Sequence, residues 1–268
     1  MTSAASWQHW LGHVGTAPWR WLRSGWGVVF FGAELIVIAL SPSSWRDPRM
    51  RLALARHAYM DTAPILLGFS VLCALLTVVI TRIVVVTARS YGLSQYALEM
   101  VIRVLVLELI PLTAALFVAL RCTIPNGAAL AEMRRTGRFE AMRRAGMDPL
   151  LREVLPRMLA GGYATITLAA LSCFVAMVLA YLAVYGPTLA GLPAYTRMFG
   201  HVFNPSVSLI FVIKTLLFSL AVAVIPMASG GTDIATPSSR ESAALQGLVR
   251  MFAVLLLLEA LSLVGNYY

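Results

Sequence analysis

Charged side chains are scarce in this chain: only 12% of its 268 residues are Asp, Glu, Lys or Arg, while 59% are hydrophobic. A soluble domain carries about 25% charged residues. A chain with so little polar surface cannot enclose its apolar side chains in water, and this excludes a soluble globular protein. The composition is typical of an integral membrane protein.

Negative charge is scarcer than positive charge, and the formal net charge is +9. No platform of aromatic and basic residues accompanies this charge, so we expect no nucleic-acid partner. Positive charge collects instead in the cytoplasmic loops of membrane proteins, where it contacts anionic lipid headgroups. Lys214 is the only lysine of the chain and lies inside an apolar run.

Motifs for catalysis, metal binding and nucleotide binding are lacking. The three cysteines stand singly in or beside apolar runs, and the four histidines lack the spacing of metal ligands. The chain has no Rossmann glycine motif, no P-loop and no nucleophile elbow. We therefore predict no catalytic residue, no metal and no cofactor. The first 24 residues also lack the pattern of a cleaved signal peptide.

Long apolar runs dominate what is present, and a membrane span needs about 20 apolar residues. Five runs fit: Thr62–Val86, Val104–Leu120, Leu159–Tyr185, Val207–Met227 and Ala243–Val264. The run 25–40 is shorter and has tryptophan flanks, which favour a helix in the membrane interface over a true span. We predict an all-α integral membrane protein, with an N-terminal interfacial helix in residues 1–60 and five transmembrane helices in residues 61–268.

Arginines set the expected orientation, because they are enriched on the cytoplasmic side. Four lie between Arg46 and Arg56, and seven lie between Arg134 and Arg157, whereas the loop after the third run has only Arg197. Three arginines at or between the facing ends of the first two runs, Arg82, Arg89 and Arg103, oppose this pattern. We predict that the N-terminus and the 121–157 segment are cytoplasmic and that the C-terminus lies outside.

Two charges inside the predicted spans, Glu108 and Lys214, are costly when they face lipid. Three interpretations stay open: a salt bridge that only fixes helix packing, a polar lining for a lipid headgroup or a gate, or no contact. Pro111 follows Glu108 by three residues. It predicts either a simple kink or a bend that lets the helix lean around a cavity.

The segment 128–150 between the second and third runs is rich in arginine and ends at Asp148-Pro149. This pair predicts a helix end followed by a new helix with proline in its first turn. The arginines either form a solvated face or insert, with apolar neighbours, into a groove on another protein. We favour docking because the segment connects two spans.

One set of residues carries a family resemblance. The set is Glu108-Leu109, Pro111, Ala114-Ala115-Leu116, Arg121, Met133, Thr136, Met147-Asp148-Pro149-Leu150, Pro156-Arg157, Ala160-Gly161, Lys214-Thr215, Phe218 and Gly230-Gly231. With these residues the chain resembles the MlaE/YrbE permeases over about residues 60–265. These are the membrane subunits of ABC transporters that work with MCE-domain lipid-binding proteins.

The resemblance implies a permease in the bacterial inner membrane that moves phospholipids or related lipids. It implies three partners: an ABC ATPase subunit, an MCE-domain protein and a second permease copy, in a homodimer or alternatively a heterodimer. It places Glu108, Pro111 and Lys214 at the lipid cavity. It makes 128–150 the cytoplasmic coupling segment, whose ATPase-contacting residues are Met133, Arg134, Arg135, Arg138, Phe139, Arg143, Arg144 and Asp148.

The coupling segment departs from the family pattern. Ala128–Ala131 stands where the family usually has Ala-Glu-Leu-Gly, and Thr136–Arg138 stands where Thr-Glu-Gln is common. The segment therefore loses two carboxylates, which would suit a non-transporting scaffold or assembly protein. A secondary transporter is a further alternative, with Glu108, Lys214 and Glu259 as the charges available for coupling.

Overall fold

The computed structural model describes residues 25–93, 96–231 and 240–267, which are almost entirely helical. The first 24 residues, for which we predict no cleaved signal peptide, lie outside this range. The described helices are α1 Gly25–Leu40, α2 Pro42–Arg46, α3 Pro48–Ser90, α4 Ala97–Arg135, α5 Arg138–Arg144, α6 Leu150–Tyr185, α7 Leu192–Val202, α8 Pro205–Gly231 and α9 Arg240–Tyr267.

Five of these helices, α3, α4, α6, α8 and α9, are long and apolar enough to cross a membrane, which confirms the five predicted spans. The helices extend well beyond the apolar runs. With 39 residues, α4 is about 58 Å long at 1.5 Å per residue, whereas the hydrocarbon core is about 30 Å thick. Hydropathy marks the part inside the lipid and does not mark where a helix ends. The predicted boundary after residue 60 likewise falls inside α3.

One face of α1 packs against the bundle. Phe31 and Leu35 are buried in an apolar cluster that includes Val224 of α8. A Cβ added at Gly32 would lie 2.8 Å from Val224 Cγ1, so this glycine allows the two helices to approach closely. The opposite face exposes Trp26, among other apolar residues. At about 24 Å, α1 is shorter than the hydrocarbon core, and its interfacial position stays a prediction.

Prolines widen the spanning helices at three places without ending them. The wider, π-helical turns are Ile102–Leu109 and Ala119–Thr123 in α4 and Leu150–Val154 in α6. Each precedes a proline by two residues, since the prolines are Pro111, Pro125 and Pro156. Proline lacks an N–H group and its ring collides with the carbonyl four residues earlier. One extra residue in the preceding turn accommodates both effects and lets the helix continue.

Glycines bring α4 close to two other helices near its C-terminal end. A Cβ added at Gly127 would lie 2.4 Å from the backbone oxygen of Pro226 in α8. A Cβ added at Gly161 of α6 would lie 2.5 Å from Thr123 Cγ2 of α4. The C-terminal third of α4, residues 122–135, therefore packs closely against both α6 and α8.

Helix α7 lies at the opposite end of α6 from α5 and packs through aromatic rings. The Tyr195 hydroxyl donates a hydrogen bond to the Met177 carbonyl of α6 at 3.1 Å. Its ring lies 5.2 Å from that of Tyr181, edge to face. Burial raises the pKa of Tyr195, which keeps this donor protonated. The rings fix α7 across the ends of the spans.

Candidate functional site

A cluster of charged side chains lies inside the bundle, where three spanning helices meet. The Lys214 ammonium of α8 donates a hydrogen bond to Glu108 Oε2 of α4. The same ammonium lies 3.3 Å from Glu259 Oε2 of α9. Asn266 Nδ2, also on α9, donates to the second oxygen of Glu108 at 3.2 Å. We call these four residues the central cluster.

Two members of the central cluster are buried, and Glu259 and Asn266 are partly buried. Lys214 is 3% exposed and Glu108 is 9% exposed. The Lys214 ammonium lies 6.0 Å from the centre of the buried Phe218 ring one turn further along α8. A charge facing hydrocarbon alone costs several kcal/mol, so the opposite charges offset each other's loss of water. Lys214 and Glu108 can therefore stay charged as a pair within the membrane.

Local sequence explains how Glu108 reaches the cluster. It lies in the wide turn Ile102–Leu109, and the Ile110 N–H bonds to the Leu105 carbonyl five residues earlier. Pro111 is buried immediately after this turn. A regular α-turn would place Glu108 at a different angle around α4. Pro111 therefore acts on the site through the backbone of Glu108.

Two members of the central cluster were absent from the predicted site. Glu259 was considered only as a coupling charge of a secondary transporter, and Asn266 was missed. They are seven residues apart on α9, which places them on the same face two turns apart. That spacing beside a lone carboxylate in an apolar run is the signal that would have identified Asn266. Among the described residues, Asn266 Oδ1 is buried and accepts no hydrogen bond.

The arginine-rich segment 128–150 is divided among three elements. Residues 128–135 continue α4 beyond its wide turns. Gly137, with φ +71°, turns the chain into the short helix α5. A second turn at Gly146, with φ +72°, leads to α6. The Leu150 N–H donates to Asp148 Oδ1 at 2.9 Å, so Asp148 caps α6 where a helix start was predicted.

Apolar contacts hold α5 on the end of the bundle. Phe139 is 8% exposed and lies in one apolar cluster with Leu130, Met158 and the half-buried Met133. Phe139 and Met133, two of the residues expected to contact the ATPase, therefore pack against side chains of this chain. Arg134 is half-buried, and exposed positions carry the other charges: Arg135, Arg138, Arg143, Arg144 and Asp148.

The predicted residues thus form two groups at different levels of the bundle. Glu108, Pro111 and Lys214 lie together among the spanning helices. The arginines lie on and beside α5 at one end. Arg135 pairs with a neighbour on its own helix, since its Nη2 lies 2.7 Å from Glu132 Oε1. The described part of the chain holds no group of three His, Cys, Asp or Glu residues that could bind a metal.

Five apolar spans around a buried ammonium and two carboxylates, with an exposed basic helix at one end, define a multi-pass membrane transport subunit. A family model described as Permease MlaE matches residues 54–264. The chain therefore belongs to the MlaE permease family and is a membrane permease of an ABC lipid transporter, with a transport role and not a catalytic one. No curated protein matches the chain in sequence.

Proposed function

We propose that this permease moves phospholipids or related lipids between the bacterial inner membrane and an MCE-type periplasmic lipid-binding protein. A separate ABC ATPase subunit supplies the energy, and a second permease copy completes the membrane unit. The observation that carries this proposal is the central cluster, which holds one ammonium and two carboxylates inside an apolar bundle. Membership of the MlaE permease family supports the lipid cargo.

The central cluster offers the chemistry that a phospholipid headgroup needs. The Lys214 ammonium can bind a phosphodiester in place of a carboxylate. Glu108 and Glu259 can then accept hydrogen bonds from the ammonium or hydroxyl groups of the same headgroup, and the free Asn266 Oδ1 adds one more acceptor. Where the headgroup carries an ammonium, this group can pair with the displaced carboxylate, so one ion pair replaces another as the lipid enters.

The exposed arginines of α5 support the assignment of the energy source to a second chain. Arg138, Arg143 and Arg144 are exposed on a helix that Phe139 anchors to the permease. A short basic helix held in this way can insert into a groove of a partner with acidic side chains. We propose that this partner is the ATPase, and that α5 therefore lies on the cytoplasmic side.

The headgroup proposal is tested by the lipid that copurifies with the permease. We expect Lys214→Met to lose most bound anionic phospholipid, counted per protein by mass spectrometry, and Lys214→Arg to keep it, because arginine retains the charge. Arg250→Met is the matched control: it removes one positive charge from α9, about 13 Å along the helix from Glu259. A wild-type lipid content in Lys214→Met, or an equal loss in Arg250→Met, would contradict the proposal.

A further inference from the structure

A second group of buried polar side chains lies near the α5 end of the bundle, separate from the central cluster. Arg157 of α6 is 8% exposed although it carries a charge. Its Nη2 lies 2.8 Å from Glu153 Oε2, one turn earlier on the same helix. Its Nη1 lies 3.8 Å from the sulfur of Met133, in the last turn of α4. One guanidinium thus contacts two helices.

Side chains of α3 extend this group to a third helix. The Arg157 charge has an electrostatic effect on His57 and Asp61 of α3. Asp61 Oδ2 also accepts a hydrogen bond from Asn126 Nδ2 of α4 at 3.0 Å. The Asp61 carbonyl accepts from the Cys122 thiol at 3.2 Å. We call His57, Asp61, Asn126, Glu153 and Arg157 the lower cluster.

The lower cluster lies next to the elements that would receive force from an ATPase. Met133 precedes α5 by five residues, and the turn at Gly137 joins them. Phe139 of α5 packs in one apolar cluster with Met133 and with Leu155 and Met158, which flank Arg157 in α6. A displacement of α5 therefore moves the last turn of α4 directly. Arg157 connects that turn to α6, and Asn126 connects α4 to Asp61 of α3.

We propose that Arg157 is a positioning residue that transmits movement of α5 to α3 and α6, so that ATP hydrolysis is coupled to lipid movement. If the end of α4 moved alone, the buried Arg157 charge would lose Met133, and Asp61 of α3 would lose Asn126. This separation is costly in a medium of low dielectric constant, so the three helices move as one. The inference rests on the proposed function, because it requires an ATPase bound at α5.

The substitution Arg157→Met tests this role, since it keeps an extended side chain and removes the shared charge. Glu153 and Asp61 both retain contact with solvent or with Asn126, so the fold tolerates the change. Arg157→Lys keeps a cation beside both carboxylates. Arg152→Met is the matched control, five residues earlier in α6, where the guanidinium contacts the Met147 sulfur at 3.0 Å.

The measurement uses the permease–ATPase complex in vesicles that contain fluorescent phosphatidylglycerol, with an MCE-domain protein as the acceptor. ATP hydrolysis and lipid transfer are recorded separately, together with ATPase copurification and thermal stability. We expect Arg157→Met to keep the ATPase bound and hydrolysing while lipid moved per ATP falls at least about fivefold, the lower end of measured coupling between sites. Arg157→Lys recovers most of the transfer, and Arg152→Met behaves as wild type.

Two outcomes would overturn the inference alone: an unchanged ratio of lipid to ATP in Arg157→Met, or a parallel loss of hydrolysis, transfer and thermal stability. The second outcome would show that Arg157 only supports the fold. A wild-type complex that does not form, or that hydrolyses ATP without moving lipid, would contradict the proposed function itself. The measurement on the wild-type complex therefore distinguishes a failure of the inference about Arg157 from a failure of the proposed function.

Discussion

Lys214 joins three helices through a single ammonium group. Its Nζ donates to Glu108 of α4 and lies 3.3 Å from Glu259 of α9. A buried charge that loses its partner is penalised more than a pair removed together, because the remaining charge is left without water or a counterion. The same property makes Lys214 a suitable ligand for a headgroup, since a phosphodiester can take the place of one carboxylate.

At the residue scale, we predict strong coupling between Glu108 and Lys214 in a double-mutant cycle. Glu108→Gln and Lys214→Met should each lower the free energy of unfolding, and the double variant should lose less than their sum. The expected coupling is about 1–3 kcal/mol, as found for contacting residues in one polar network. Thermal denaturation in detergent measures all four proteins. Additive losses would mean that the two side chains do not interact.

A contact between this pair was one of the three interpretations that the sequence left open, because each residue is a lone charge within an apolar run. The cost of facing lipid favours the burial of both, and the structure joins them across 106 positions of the chain. The sequence around Arg157 did not indicate that this side chain would be buried. Arg157 stands at the edge of an apolar run, where arginines usually reach the membrane surface, whereas the structure buries it beside Glu153 of α6 and Met133 of α4.

At the scale of single elements, α4 connects the central cluster to the end of the bundle that holds α5. One wide turn of α4 contains Glu108 and precedes Pro111. The other precedes Pro125, between the central cluster and α5. The presence of proline was visible in the sequence and predicted a kink or a bend. The structure shows a wider turn before Pro111, a feature at which helices often bend, so the choice between a simple kink and a bend around a cavity stays a prediction.

Tight packing of α4 against α8 leads to a second prediction. Gly127→Ala should destabilise the permease by about 1–3 kcal/mol, the usual cost of overpacking, because the new Cβ would lie 2.4 Å from the Pro226 oxygen. Gly68→Ala in α3 is the matched control, since nothing lies within 4 Å of its added Cβ. It should be neutral or stabilising by up to about 1 kcal/mol. Equal effects of the two substitutions on thermal stability would contradict the close approach.

A third prediction concerns the exposed face of α5. Replacing Arg138, Arg143 and Arg144 with Glu should release the ATPase while the permease remains inserted and folded, because these side chains face away from the bundle. Pull-down of the ATPase measures the effect. Arg197→Glu on α7 reverses an exposed arginine at the opposite end and should leave recovery unchanged. Recovery of the ATPase at the parental level by the α5 variant would show that this face is only solvated.

At the scale of the whole molecule, the five spans could be predicted because composition and run length suffice to recognise helices in lipid. The ends of the spanning helices could not be predicted, because α3 and α4 continue as helices past the apolar runs. Within the segment 128–150, the start of α6 at Asp148-Pro149 was predicted from the sequence. The separation of α5 from α4 was not, since it depends on Gly137 with its positive φ and on the burial of Phe139.

Orientation in the membrane gives a fourth prediction. The native cysteines are buried, so introduced cysteines can be labelled against a low background. We expect a membrane-impermeant maleimide to label Thr196→Cys on α7 in intact spheroplasts, and to label Thr136→Cys beside α5 only after lysis. Both positions are exposed. Labelling of Thr136→Cys from outside would place α5 away from any cytoplasmic ATPase.

Lipid transfer by the reconstituted complex bears most directly on the transport role. Vesicles that contain the permease, its ATPase and fluorescent phosphatidylglycerol are mixed with an MCE-domain acceptor, and transfer is followed with and without ATP. We predict transfer that requires ATP and that Lys214→Met abolishes while hydrolysis persists. Transfer at the same rate without ATP, or undiminished transfer by Lys214→Met, would contradict an ATP-driven lipid permease that works through the central cluster.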